Sequence, residues 1–136
     1  MTVTRTTPVE ALKAAFLHGD FSRVSEHLAD DVVLHSPVLE TPWSTRPVLD
    51  RLGPAMVSVF DHLRFTDTTS VGRRAFLVFT AERDGTPLEG VQIVDLDDGE
   101  QVSELTIFIR PLPALVEVAL AMRSAVDPDL LAQHGR

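Results

Sequence analysis

A chain of 136 residues with 44% apolar and 24% charged side chains fits one globular domain, 1–136, long enough to bury a real core. Its formal charge of −8 argues against nucleic acid, which needs a basic patch, and disfavours anionic membrane surfaces. With no cysteine, disulfides, thiolate catalysis and Cys-ligated metals are excluded.

Met1–Thr7 is polar and lacks the apolar stretch of a signal peptide, and no segment reaches the apolar length of a membrane span. A cytoplasmic location is therefore expected. Thr7-Pro8-Val9-Glu10 starts a helix: Thr7 caps, Pro8 fits the first helical position and Glu10 is the capping-box acid. Leu12, Ala15 and Phe16 share one face of it, and Gly19 ends it. Asp20 is expected to cap a second short helix through Leu28, with Phe21, Val24 and Leu28 on one side, broken at Asp30-Asp31.

Val32–Ser36 reads as a strand stopped by Pro37. The loop Pro37–Thr45 holds the only tryptophan, Trp43. A helix is expected from about Arg46 to His62, with Leu49, Leu52, Met56 and Phe60 as its apolar stripe. Gly53-Pro54 should kink or divide it.

Arg64–Val71 and Ala75–Glu82 are strands separated by a turn at Gly72. Asp84-Gly85 and Asp98-Gly99 are two-residue hairpin signals, because a type I′ turn needs φ > 0 at both central positions. The first predicts Ala81 opposite Leu88, Phe79 opposite Gly90 and Leu77 opposite Gln92. The second predicts Leu96 opposite Gln101, Val94 opposite Ser103, Gln92 opposite Leu105, Gly90 opposite Ile107 and Leu88 opposite Ile109. Alternation then puts these residues on one inner face. Val91, Ile93, Val102, Thr106 and Phe108 fall on the outer face, which is too apolar to meet only water. Pro113 starts a last helix, Ala114–Val126, apolar enough to suggest burial on two sides. Asp127–Arg136 reads as a tail. The segregated order of helices and strands implies an α+β fold, with helices packed on one face of a curved antiparallel sheet.

Gly19-Asp20, the run Leu28-Ala29-Asp30-Asp31-Val32-Val33-Leu34-His35-Ser36-Pro37, the Gly90-Val91-Gln92 strand, and Asp98-Gly99 with its following strand carry a resemblance. Over roughly residues 8–126 the chain resembles the nuclear transport factor 2-like superfamily, and within it the SnoaL-like and ketosteroid-isomerase-like proteins. The resemblance implies a cone-shaped fold in which a bent sheet wraps a deep pocket. It also implies a homodimer through the outer sheet face, here Val91, Ile93, Thr106 and Phe108, which agrees with the general prevalence of isologous dimers.

The family isomerase chemistry does not carry over. Its aspartate base falls on Ser36, and a lone hydroxyl is no base near neutral pH. Its oxyanion-hole tyrosine and protonated aspartic acid fall on Leu12 and Gln92. The Asp-Arg-Asp set of the epoxide-hydrolase branch has no counterpart on the inner face. Catalytic residues are therefore unassigned.

The expected partner is a small hydrophobic molecule. The expected lining comprises Leu12, Phe16, His35, Ser36, Trp43, Met56, Phe60, Phe79, Gln92, Leu105 and Ile107. Gln92 needs a partner for its amide if buried, either a ligand oxygen or a backbone group or water. Ser36 points inward by family register, whereas His35 is either an acid–base group near pH 7 or a strand histidine bonded to a loop. Trp43 is either a lid or a plug for its own loop. The aliphatic and aromatic members are otherwise ordinary core. His18, His27, His62 and His134 are scattered without metal-site spacing, and Asp95-Leu96-Asp97-Asp98 is a solvated hairpin tip rather than a calcium loop. No metal and no cofactor are expected.

Three functions remain: a SnoaL-like protein that binds and transforms a hydrophobic molecule by isomerase, cyclase or hydrolyase chemistry, a ligand-binding module without chemistry, and an interaction protein. An open pocket exposing Gln92 favours the first two. A cone filled by Phe16, Phe79 and Trp43 favours the third.

Overall fold

A computed structural model describes residues 6–134, excluding the side chain of His134. The expectation for the polar start of the chain falls largely on residues 1–5, outside the described residues.

Helix α1 spans Pro8–His18. The Thr7 hydroxyl accepts the Glu10 N–H at 3.1 Å, and Gly19 closes the helix in the left-handed region at φ 67°. Its buried face is Ala11, Leu12, Ala15 and Phe16. The second helix is replaced by a turn and a 3₁₀ segment, Ser25–His27. The Asp20 carboxylate accepts the Ser22 N–H at 3.0 Å, which favours a tight local turn over a continuing helix. Phe21, Val24 and Leu28 are still buried together. Strand β1 begins earlier than expected and spans Leu28–His35. Asp30 and Asp31 are exposed within it, so these acids mark a solvated stretch of strand rather than a break.

A two-residue strand β2, Trp43–Ser44, lies antiparallel to β1. Helix α2 spans Arg46–Ser58 without division at Pro54. Buried Leu49 and Leu52 before Pro54, and Ala55 and Met56 after it, anchor both sides. Gly53 is there for contact: a Cβ on it would lie 2.1 Å from Cδ2 of the Phe21 ring. The helix ends four residues short of His62, because β3, Asp61–Val71, takes over.

Strands β4 (Arg74–Arg83), β5 (Thr86–Leu96) and β6 (Val102–Arg110) complete a sheet of order β2-β1-β6-β5-β4-β3. The sheet is curved and unclosed. It is antiparallel except between β1 and β6, which run parallel. The Asp84-Gly85 turn has positive φ at both residues, 50° and 80°. The β4–β5 pairs Ala81–Leu88, Phe79–Gly90 and Leu77–Gln92 follow from it.

The second hairpin differs. Asp97 Oδ1 accepts the N–H groups of Gly99 and Gln101 at 2.9 and 3.0 Å, and Glu100, not Asp98-Gly99, takes a positive φ of 61°. The Asp97 side chain thus builds a longer turn. A bulge follows between Asp95 and Leu96, and the register moves by two: Gln92 faces Ile107, Gly90 faces Ile109 and Val94 faces Leu105. An even shift keeps the inner face inward. The bulge, however, turns Val102 from its expected outer position into full burial beside Leu28 of β1.

Helix α3 spans Leu112–Ala125 and buries only Ala114 and Val118. Leu112, Val116 and Leu120 are exposed, so it packs on one side, not two. The expected tail is a helix, α4, Pro128–His134. The Asp127 carboxylate accepts the Asp129 N–H at 2.9 Å and pairs with Arg51 at 2.5 Å, and Leu130 is buried. No helix among the described residues is long and apolar enough to cross a membrane.

Candidate functional site

Strands β1 and β6 and helices α2–α4 enclose a cavity of about 620 Å³, within the size range of small-molecule sites. Strand β1 supplies Leu34, and the chain leaving it supplies Ser36, Pro37, Val38 and Leu39. Helix α2 adds Leu52 and Met56, with Val59 and Phe60 just beyond it, while Trp43 comes from β2 and Ile107 and Ile109 from β6. Helices α3 and α4 close the far side with Val118, Ala119, Leu120, Met122, Arg123, Leu131 and Ala132, joined by Val126 between them.

The lining grades from dry to wet. Leu34, Trp43, Leu52, Met56, Ile107, Val118 and Val126 are buried, whereas Val38, Leu39, Leu120, Arg123 and Ala132 are exposed and form the rim. Ser36 Oγ accepts the N–H groups of Val38 and Leu39 at 2.9 and 3.1 Å. That hydroxyl shapes the turn carrying two rim residues, and its own O–H remains a donor. Among the described residues Arg123 is the only charged one in the lining.

Of the residues expected from sequence, Ser36, Trp43, Met56, Phe60 and Ile107 meet in this cavity. Leu12, Phe16, Phe79 and Leu105 do not reach it and belong to the buried core. The aromatic part of that core packs tilted and edge to face rather than in stacks: Phe60 lies 5.9 Å from Phe16 at 53° and 5.8 Å from Phe79 at 73°, ring centre to ring centre. Gln92 also lies outside the lining. It is fully buried beside Ile107, and neither amide atom has a hydrogen-bond partner among the described residues. The pocket is therefore open, but Gln92 is not exposed in it.

His35 faces away. Leu34 lines the cavity, so alternation turns its neighbour outward, where His35 Nε2 lies 2.5 Å from Glu104 Oε2. The sequence does not single out the α3 residues, because that helix is apolar on most sides, nor those of α4, because Asp127–Arg136 reads as a tail. Asp127-Pro128 is the same cap-and-proline start as Thr7-Pro8 and was the available signal. Among the described residues no group of three or more His, Asp or Glu side chains is placed to hold a metal ion.

A search of curated proteins finds no match. Among solved structures, the chain is similar to an uncharacterised bacterial protein with a cystatin-like fold from Silicibacter pomeroyi. The TM-score is 0.86 at 19% identity, over 95% of this chain and 92% of that one. A steroid delta-isomerase from Pseudomonas aeruginosa gives 0.80 at 20% identity, over 91% and 94%. An NTF2-like protein of unknown function from Cytophaga hutchinsonii gives 0.64 at 14%, over 84% and 99%. At these identities the likeness is one of fold, the cone of the nuclear transport factor 2-like superfamily. The model of the SnoaL-like domain matches residues 9–104, from α1 to the bulge in β6, and the chain therefore belongs to the SnoaL-like family.

Proposed function

We propose that this protein binds a small hydrophobic molecule in the cavity between β1, β6 and helices α2–α4, and that it does so as a homodimer. The observation that carries the ligand reading is the open apolar cavity itself, with a buried floor and an exposed rim. An apolar surface of this extent open to water is unfavourable, and an apolar ligand removes it from water. The dimer reading is supported by the outer sheet face, where Val78 and Phe108 are exposed and Val91, Ile93 and Thr106 are half-buried.

Binding is favoured over proton-transfer chemistry by one specific arrangement. His35 is paired with Glu104 on the outer face, and among the described residues no carboxylate or imidazole lines the cavity. Ser36 has no base beside it in that lining. A shape-selecting carrier, or a site that acts on a substrate by confining its conformation, needs neither group.

Trp43 is the only tryptophan and lines the cavity, so its fluorescence reports occupancy. Titration with the neutral probe N-phenyl-1-naphthylamine should change that emission saturably. Ala119→Phe, which puts a ring into the lining, should weaken binding by about tenfold or more while leaving the melting temperature close to that of the native protein. Absence of probe binding, or binding indifferent to Ala119→Phe, overturns the reading.

A further inference from the structure

We propose that the cavity takes an amphipathic carboxylate: an apolar body on the buried floor, and an acidic head paired with Arg123 at the rim. This rests on the ligand-binding reading above and names the class of ligand.

The floor residues Leu34, Leu52, Met56, Ile107 and Val118 offer hydrocarbon and thioether surface, and Trp43 beside them adds an uncharged indole. Such a floor recognises an apolar body and rejects an uncompensated charge. Among the described residues Arg123 is the one charged member of the lining, and it is solvent-exposed. A ligand that fills the floor therefore meets its first charge where it leaves the cavity, and that charge is positive.

The chain has 20 acidic residues against 12 basic ones, so an arginine is rarely far from a carboxylate. Arg46, Arg51, Arg73, Arg74, Arg83 and Arg110 each form an ion pair, with Asp30, Asp127, Asp98, Asp95, Asp84 and Glu89 respectively. Among the described residues Arg123 has no ion pair or hydrogen bond. Arg23 and Arg64 share that condition but neither lines the cavity. An unpaired guanidinium at the lip of an apolar cavity, in a chain this acidic, is complementary to an anion.

A guanidinium stays charged at all physiological pH values and presents parallel N–H donors that match the two oxygens of a carboxylate. At an exposed rim it keeps most of its hydration until the ligand arrives, so the pair forms without burying an isolated charge. Arg123 also lies beyond the 9–104 span matched by the SnoaL-like domain model. The cation therefore sits on a part of the cavity wall that the family match does not cover.

The test compares decanoate with decan-1-ol, which share a chain and differ in the charged head, by displacement of N-phenyl-1-naphthylamine and by Trp43 emission. Decanoate is expected to bind the native protein about tenfold more tightly. Arg123→Gln should bring decanoate down to the affinity of the alcohol, and Arg123→Lys should restore part of the preference. Equal affinities in the native protein overturn the proposal, as does a preference for decanoate that survives Arg123→Gln. Failure of both decyl compounds while the naphthylamine binds also overturns it, leaving the ligand-binding reading intact. Failure of all three compounds removes that reading as well.

Discussion

Gly90 lies opposite Phe79 in the β4–β5 ladder, and the Phe79 ring occupies the space that a Gly90 side chain would take. A Cβ on Gly90 would sit 2.7 Å from Phe79 Cζ and 2.2 Å from the Phe108 carbonyl oxygen. The ring is flexible and the backbone oxygen is not. Gly90→Ala should therefore lower stability by about 2–3 kcal/mol, read from the urea midpoint. Adding Phe79→Leu relieves the ring contact alone, so the double variant should not regain native stability. Full recovery would show that the Phe108 carbonyl yields readily.

Gln92 is a buried amide with neither polar atom bonded among the described residues. Gln92→Met keeps the shape and removes the two groups that lost water on folding. It should raise stability by about 1–2 kcal/mol, measured as a higher urea midpoint at an unchanged slope. A fall in stability would show that the amide is hydrogen-bonded in solution, and the bonding partner would then be the next object to find.

Asp127 ties α4 to α2 through Arg51. The Arg51 guanidinium first, and then the Asp129 backbone N–H, hold its carboxyl below the ordinary aspartate value. A carboxyl lowered in the folded state stabilises the fold at pH above its unfolded value, and that contribution is lost as pH falls through the lowered value. The loss should therefore set in below about pH 4. Urea midpoints from pH 6 down to pH 3 (about the range these carboxyls titrate over) should fall less steeply in Asp127→Asn. Part of the slope should remain, because the Ser22 backbone N–H lowers Asp20 in the same sense. An unchanged slope would remove Asp127 from the acid limb.

Phe108 is 54% exposed at the middle of the outer sheet face, where the proposed dimer would bury it. Phe108→Glu introduces like charges into a two-fold contact. It should raise the dimer dissociation constant by about tenfold or more, measured by sedimentation velocity. A native protein that sediments as a monomer at all accessible concentrations would remove the dimer.

The fold was legible where local chemistry acts alone. Thr7 and Gly19 bound α1 as caps, and Asp84-Gly85 forms the turn that sets the β4–β5 register. Legibility failed where a side chain outcompeted a backbone preference. The Asp97 carboxylate captured two N–H groups and lengthened the second hairpin, a choice no dipeptide signal reveals. The cavity was legible on its sheet and α2 sides, through Ser36, Met56 and Ile107. Its other wall depends on which face of α3 turns inward, and α3 is apolar on most sides, so periodicity does not choose between Val118 and Val116. Gln92 shows a further limit: strand parity gives its direction, but not that the cavity reaches its ladder partner Ile107 and stops short of Gln92 itself.

The parallel pairing of β1 with β6 joins strands that lie far apart in the chain, whereas β3 to β6 are linked by short turns. Closing so long a loop is entropically expensive and is paid before any contact across it forms, which slows a folding chain. Leu34 and Ile107 stand on the two strands of that pair and face the same cavity. A chain that has zipped only its hairpins therefore has no chamber to offer. Any molecule that occupies the chamber acts on the final long-range closure, and should slow its reopening rather than speed the zipping of the meander.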